Sequence, residues 1–492
     1  MMMRHALSKA TVLLALILLS ACSMGQSDIV WYAIEMDGQL LGCNAVFSIP
    51  GDSTTGEPTT VRTEGRLVMS LLGQPLDMTL IETRKYDPVT DEAISIVFEI
   101  DTGSSQYGAS LLFDGDVAHH TTEPDGTTRE IPLEKDLIIN EDVLMEAIKE
   151  NLGSKIGATE TFQLLNPLLG AINTREYTAR GEESIVIDGQ EYACLLFTYR
   201  DLTLGVSGQL WIERDEGYVV RSASPDGSVV YLSDRSVRTR IRRTNMNSFI
   251  LAGTETLIED VLSIEYMKVR IKVRSAGEII TAEKLNFPGQ RFEGTVTDNL
   301  IEGVFEIEHP RYSGNNAPSF PTVYSDIEEL QPYLGSEWMI EADDPVLIEK
   351  AEEITAGARD SWEAAVRLSR WVGEEISGSI PGGSARQTFD TGTGECGSHS
   401  RLLAAFCRAV GIPARMVTGG AYTPIEGGSF GQHAWNEIWM GEAGWITVDS
   451  TFQESDYVDA GHIRIGLLTS FNPVEAEILD YRLSGPDHQR QN

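Results

Sequence analysis

From Ile29 to about Ser248 short apolar runs alternate with polar positions, and Asp-Gly pairs break the runs at Asp37, Asp114, Asp125, Asp188 and Asp226. A period of two puts one face of a strand in a core and the other in water. Asp-Gly between such runs supplies two residues that tolerate the positive φ of a type I′ turn, so the pattern predicts antiparallel hairpins, most clearly in SIVIDGQEYACLLFTY. One stretch departs from it: EDVLMEAIKENLG carries Val143, Leu144, Ala147 and Ile148 at helical spacing with a glycine behind them, which predicts a helix against the sheet. Between Phe249 and Glu308 the runs IEYMKVRIKV and GVFEIE predict a smaller β module, and HPRYSGNNAPSFP after it reads as a linker.

Beyond the linker the period becomes helical. Asp344-Pro345 supplies an N-cap and a first-turn proline, and Asp360 followed by Glu363 resembles a capping box. Trp362, Ala365, Val366, Ser369, Val372 and Ile376 share one helix face, and Leu402, Leu403, Phe406, Cys407 and Val410 form a second stripe that Gly411 and Pro413 end. The expected organisation is a leader at 1–21, an antiparallel β-rich domain at 22–248, a small β module at 249–308, a linker at 309–343 and a C-terminal α+β domain at 344–492.

Length supports several domains, because 492 residues exceed what one core fills. Charge narrows the partners. The chain carries 38 basic and 74 acidic side chains, a net −36, so it lacks the basic footprint that nucleic acid requires. The opening MMMRHALSKATVLLALILLSAC has a basic start and an apolar run from Val12 to Leu19, too short to span a bilayer. It resembles a bacterial lipoprotein signal, with Leu19-Ser20-Ala21-Cys22 in the place of the lipobox. That resemblance implies cleavage before Cys22, acylation of its thiol and a membrane-tethered protein of the cell envelope. Ser23 in place of an aspartate favours the outer membrane and periplasm.

Five cysteines are too few for a disulfide scaffold. Cys43 and Cys194 stand at equal offsets from the turns at Asp37 and Asp188, which leaves open a disulfide between them or two buried free thiols. Cys407 lies inside an apolar stripe and reads as an inert core thiol. Cys396 falls at the first turn of the same helix, where unpaired N–H groups and the helix dipole favour an anion and lower a thiol's pKa. Downstream, GQHAWNEIWMGEAGWITVDSTF reads as a hairpin with His433 in one strand and Asp449 in the next. For both to face Cys396 the register must pair like with like, through a loop of odd length or a bulge; Met440–Gly444 would serve, pairing Trp439 with Trp445 and setting Asp449 diagonally from His433.

GECGSHSRLLAAFCRAVGIPAR, HAWNEIWM and GWITVDST, in that order, resemble the transglutaminase-like superfamily over roughly Asp344 to Gly466. The resemblance implies a papain-like arrangement with Cys396 as nucleophile, His433 as general base and acid, and Asp449 as orienting carboxylate. Ser450 stands where many members have proline, and DYVDAGHIRI resembles a structural segment, which leaves His462 outside the expected site. A thiolate attacking a peptide or isopeptide amide would leave an acyl-thioester for water or an amine to resolve. Hydrolysis is slightly favoured, because water is abundant outside the cell. The competing class is a non-catalytic envelope module that binds lipid or peptide on the same scaffold.

Gln387 and the Cys396 N–H are candidate oxyanion donors, and Glu437 shares the His433 face. His119-His120 beside turn residues reads as an exposed hairpin end. No metal or cofactor is expected, and TGTGEC lacks the lysine of a phosphate loop.

Overall fold

A computed structural model describes residues 29–484, except 37, 72–73, 104–105, 124–125, 127, 154, 169, 204–206, 225–226, 277–279, 298–299, 323, 325–326, 338, 379–382 and 468–469. The expected leader and Cys22 lie outside the described residues, as do Asp37, Asp125 and Asp226. Among the described residues no helix is long and apolar enough to cross a membrane. The described chain forms two compact units, one ending at Met246 and one beginning at Asn247.

The first unit is one mostly antiparallel sheet made of two meanders, with the short strands Leu137–Ile138 and Thr244–Asn245 pairing parallel to it. Eight strands from Val30–Met36 to Thr128–Pro132 pair each with the next. After helix α1 (Glu141–Leu152), six more run from Thr159–Asn166 to Ser228–Ser233, and the last returns to the first, with Trp31 opposite Ser233 and Met36 opposite Ser228. The hairpin at Asp188-Gly189 has both residues at positive φ, 50° and 82°, as a type I′ turn requires. Asn140 caps α1 by accepting from the Asp142 N–H. The helix buries Leu144, Met145, Ile148 and Leu152 against Phe162, Tyr177 and Phe197, while Val143, expected inward, is exposed. Helical spacing alone leaves the inward face ambiguous by one residue, and Met145 joins the core in place of Val143.

Two expectations in this unit are corrected or resolved. His119 and His120 lie within the strand Val117–Glu123, so alternation turns His120 inward, where it is buried, and no exposed hairpin end carries the pair. Cys43 and Cys194 are both buried and free. Their strands, Gln39–Ile49 and Gln190–Asp201, have four others between them, so they lie five spacings apart along the sheet, roughly 24 Å.

In the second unit the strand Ile264–Ala276 is central to a four-stranded sheet, between Leu300–Ile307 and Ser470–Leu483, with Gln290–Thr297 at the edge. The small module expected at 249–308 therefore shares a sheet with the strand Ser470–Leu483, a pairing of high sequence separation that no local pattern announces. A second sheet runs in the order Leu251–Gly253, Ser429–Trp439, Ala414–Thr423, His462–Gly466, and Trp445–Val448 also pairs with Ser429–Trp439. Ile264, Phe305, Tyr422, Phe430 and Ile463 form one core between the two sheets.

The helices are α2 (Pro345–Thr355), α3 (Ser361–Glu375), α4 (Ala385–Thr391) and α5 (Cys396–Ala409). Asp344 and Asp360 cap α2 and α3 as the sequence indicates. Leu347, Leu368, Val372, Leu402, Phe406 and Cys407 make the helical core, joined by Ile438 and Val448 from the strands. The expected linker is packed as well: Tyr312, Ala317 and Phe320 lie on that core, and Glu337 and the Gly335 carbonyl hold buried Arg408.

Gly419 sits opposite His433 in the middle strand. A Cβ there would stand 2.0 Å from the Ile463 carbonyl oxygen and 2.5 Å from the Trp435 ring, so the strands close only over glycine. Gly419→Ala is expected to cost about 1–3 kcal/mol by overpacking, read as a lower melting temperature; an unchanged melt would show that the strands have slack.

Candidate active site

Glu395, Cys396 and the first turn of α5 form one wall. Glu395 caps the helix, accepting from the Gly397 and Ser398 N–H groups, and its Oε2 lies 3.4 Å from Cys396 Sγ. Burial works against this carboxylate's charge, but Arg401 and the N–H, S–H and O–H donors of residues 396–398 outweigh it and hold the group below its ordinary range. Cys396 answers in the opposite direction. Burial and then the Glu395 charge push the thiol well up, while the Ala434 backbone N–H pulls it down by less. The helix terminus was expected to lower this thiol; desolvation and an adjacent anion overrule it, so the thiol keeps its proton at rest.

The Ala434 N–H comes from the strand that carries His433. Asn436 ties that strand to α5, donating from Nδ2 to the Ser400 carbonyl at 2.9 Å. Trp439 pairs with Trp445, the register that brings His433 and Asp449 to one side. His433 Nε2 lies 2.7 Å from Asp449 Oδ2. A carboxylate only accepts, so Nε2 carries the proton and Nδ1 keeps its lone pair. Asp449 sits in a tight turn, its Oδ1 accepting from the N–H groups of Thr451 and Phe452. Burial opposes its charge, but His433 and His462 hold its carboxyl far below the usual range.

Sequence reasoning missed three features. His462, expected outside the site, places Nε2 3.1 Å from the same Asp449 Oδ2. Its strand, His462–Gly466, lies beyond Ala414–Thr423, where it pairs with Ala421, so only sheet order brings it there. Phe452 stacks on the His433 ring at 4.4 Å and 10°, with Trp435 near-parallel at 5.8 Å. Glu454 and Asp459, both buried, lie behind His462 at 3.8 and 3.5 Å from its Nδ1. The His in GHIRI and the acids in the preceding ten residues were the signal available.

Among the described residues two sets, His433–Asp449–His462 and Glu454–Asp459–His462, bring metal-ligating atoms within 4.8 Å of one another. In the first, the ring N–H groups already occupy the carboxylate oxygen. Gln387 is placed in α4 over Gly383, whose N–H donates to Ser398 Oγ at 2.8 Å. Glu437 is engaged by Arg415 at 2.6 Å and Arg464 at 2.7 Å, which makes it an ion-pair node rather than a partner of His433. Cys407 is fully buried, its thiol pushed up to about 12 by desolvation.

Residues 348–450 match the family model described as the transglutaminase-like superfamily. Over 74 residues the chain is 40% identical to a protein-glutamine gamma-glutamyltransferase of Pseudomonas aeruginosa, a stretch that is 13% of this chain and 11% of that protein. Among solved structures, a candidate cysteine protease from Cytophaga hutchinsonii aligns at 16% identity and a TM-score of 0.34, covering 44% of this chain and 91% of that one. A β-barrel-like protein from Brucella abortus, of a domain of unknown function, aligns at 10% identity and a TM-score of 0.30, covering 42% and 98%.

Proposed function

We propose that the transglutaminase-like domain this chain carries at residues 348–450 is a papain-like acyl-transfer centre for peptide or isopeptide amides, with Cys396 as nucleophile, His433 as proton shuttle and Asp449 as orienting carboxylate. The observation that carries this reading is the 2.7 Å bond from His433 Nε2 to Asp449 Oδ2, on a strand whose next N–H meets the Cys396 thiol. It leaves His433 Nδ1 as the nitrogen for the thiol proton.

Because the thiol is protonated at rest, attack on an amide carbonyl is coupled to passage of its proton to His433. The thiolate sulfur bonds to the carbonyl carbon, the oxygen takes the negative charge, and the Cys396 N–H is the natural donor to it. His433 then gives the proton to the departing amine, and the acyl group stays on sulfur. Water resolving the thioester makes an amidase or peptidase; an amine makes a transamidase, the activity in the Pseudomonas aeruginosa relative's name. We place the protein in a bacterial envelope, tethered through acylated Cys22, on the lipobox-like Leu19-Ser20-Ala21-Cys22.

The test is iodoacetamide alkylation of Cys396 across pH, followed by peptide mass spectrometry in wild type and His433→Ala. A drop of about a hundredfold near pH 7 without His433 is expected, the size of a lost proton shuttle. Equal rates in the two proteins would leave Cys396 an ordinary buried thiol and favour the non-catalytic binding module.

A further inference from the structure

We propose that His462 is a positioning residue of this site, fixing the Asp449 carboxylate from a second strand with a positive charge that Asp459 supports; the inference rests on the acyl-transfer reading above. His462 Nε2 and His433 Nε2 meet one oxygen, Asp449 Oδ2, at 3.1 and 2.7 Å. The carboxylate accepts only, so both rings present N–H to it. His462 Nδ1 turns to Asp459 Oδ1 at 3.5 Å and Glu454 Oε2 at 3.8 Å. All five side chains are buried.

The groups around His462 come from every neighbouring element. The turn supplies Asp449 and Phe452, with Glu454 at its end; Asp459 precedes the strand; His433 and Trp435 face it from Ser429–Trp439. His309 Nε2 lies 3.4 Å from the His462 carbonyl. Burial opposes a charge on His462, but Asp459, Asp449 and Glu454 outweigh it and hold the ring well above its ordinary range. Burial and then the Asp459 charge push the Glu454 carboxyl well up from its ordinary range. Burial and then His462 bring His309 down to about 4, so it is neutral at pH 7. His462 stands between two carboxyls, its Nε2 turned to Asp449 and its Nδ1 to Asp459.

A neutral donor in place of His462 would keep the hydrogen bond but not the charge. With His462 cationic, the Asp449 charge is shared between two rings. Without that cation it acts on His433 alone and holds the His433 proton more tightly. The acidic limb of Cys396 alkylation must then move to higher pH.

The experiment compares that pH profile in wild type, His433→Ala, His462→Gln and Asp459→Asn, each checked by circular-dichroism melting. His462→Gln retains a donor at the ε position without charge, and Asp459→Asn withdraws the anion that supports the charge. Both are expected to shift the limb upward by about half a pH unit or more. Lower melting temperatures with profiles that superimpose on wild type would overturn the proposal and leave His462 a structural residue. If His433→Ala itself alkylates like wild type, the acyl-transfer reading fails instead. Should either substitution prevent folding, the Cys396→Ser chain labelled with 15N-histidine gives the answer directly. A ring still doubly protonated at pH 8 is expected, and its absence would overturn the proposal.

Discussion

Asp449→Asn is expected to destabilise the 247–492 unit by about 3–5 kcal/mol, because removing one partner of a buried charge pair leaves the other uncompensated. For a unit of this size that is a fall on the order of 10 °C in melting temperature. The amide NH2 would face two ring N–H groups at Oδ2, while the Oδ1 position could still accept from Thr451 and Phe452. Donor would meet donor unless His433 moved its proton to Nδ1 and His462 gave up the proton on Nε2. On His433 that shift would remove the lone pair the thiol needs, so the His433 dependence of Cys396 alkylation should vanish along with the stability.

The pH dependence of this loss follows from the two shifts. Asp449 is depressed in the folded state, so its contribution is present above the unfolded carboxylate value of about 3.9 and disappears as pH falls toward the folded one. His462 is raised, so its contribution is complete below about 6.5 and is lost as pH rises through its folded value. The wild-type advantage over Asp449→Asn should therefore be widest between roughly pH 4 and 6.5. Calorimetry at a series of pH values reads it directly; a difference that does not change with pH would contradict the ionic account.

Glu395→Gln is expected to raise the alkylation rate of Cys396 at pH 7 by about tenfold, the effect of removing a unit charge 3.4 Å away in a partly screened site. The wild-type carboxylate is both an acceptor for the S–H and an anion beside it, and both roles favour the protonated thiol. Glutamine keeps an oxygen for the Gly397 and Ser398 N–H groups, so the helix cap survives in part. Iodoacetamide kinetics in the two proteins measure the change. An unaltered rate would mean that desolvation alone holds the proton on sulfur.

Much of the molecule was legible without coordinates because it rests on local rules. Asp-Gly at 188–189 specifies its hairpin through positive φ, Asp344 and Asp360 specify helix starts, and the Leu402–Phe406 stripe specifies the buried face of α5. The Trp439–Trp445 register, which aligns His433 with Asp449, followed from the requirement that both face Cys396 across a loop of odd length. Tertiary structure decided whatever depends on distant segments meeting. It returned Ser470–Leu483 to the 264–307 strands, set Cys43 and Cys194 five strands apart, and folded the Pro-rich segment onto the helical core. It also reversed the expected thiol chemistry, since the helix-terminus effect is local while desolvation and the neighbouring Glu395 are properties of the packed site. His462 is the clearest instance. Its spacing from Asp449 carries no helical or strand signal, and only the order of three strands and one turn brings both histidines to a single oxygen.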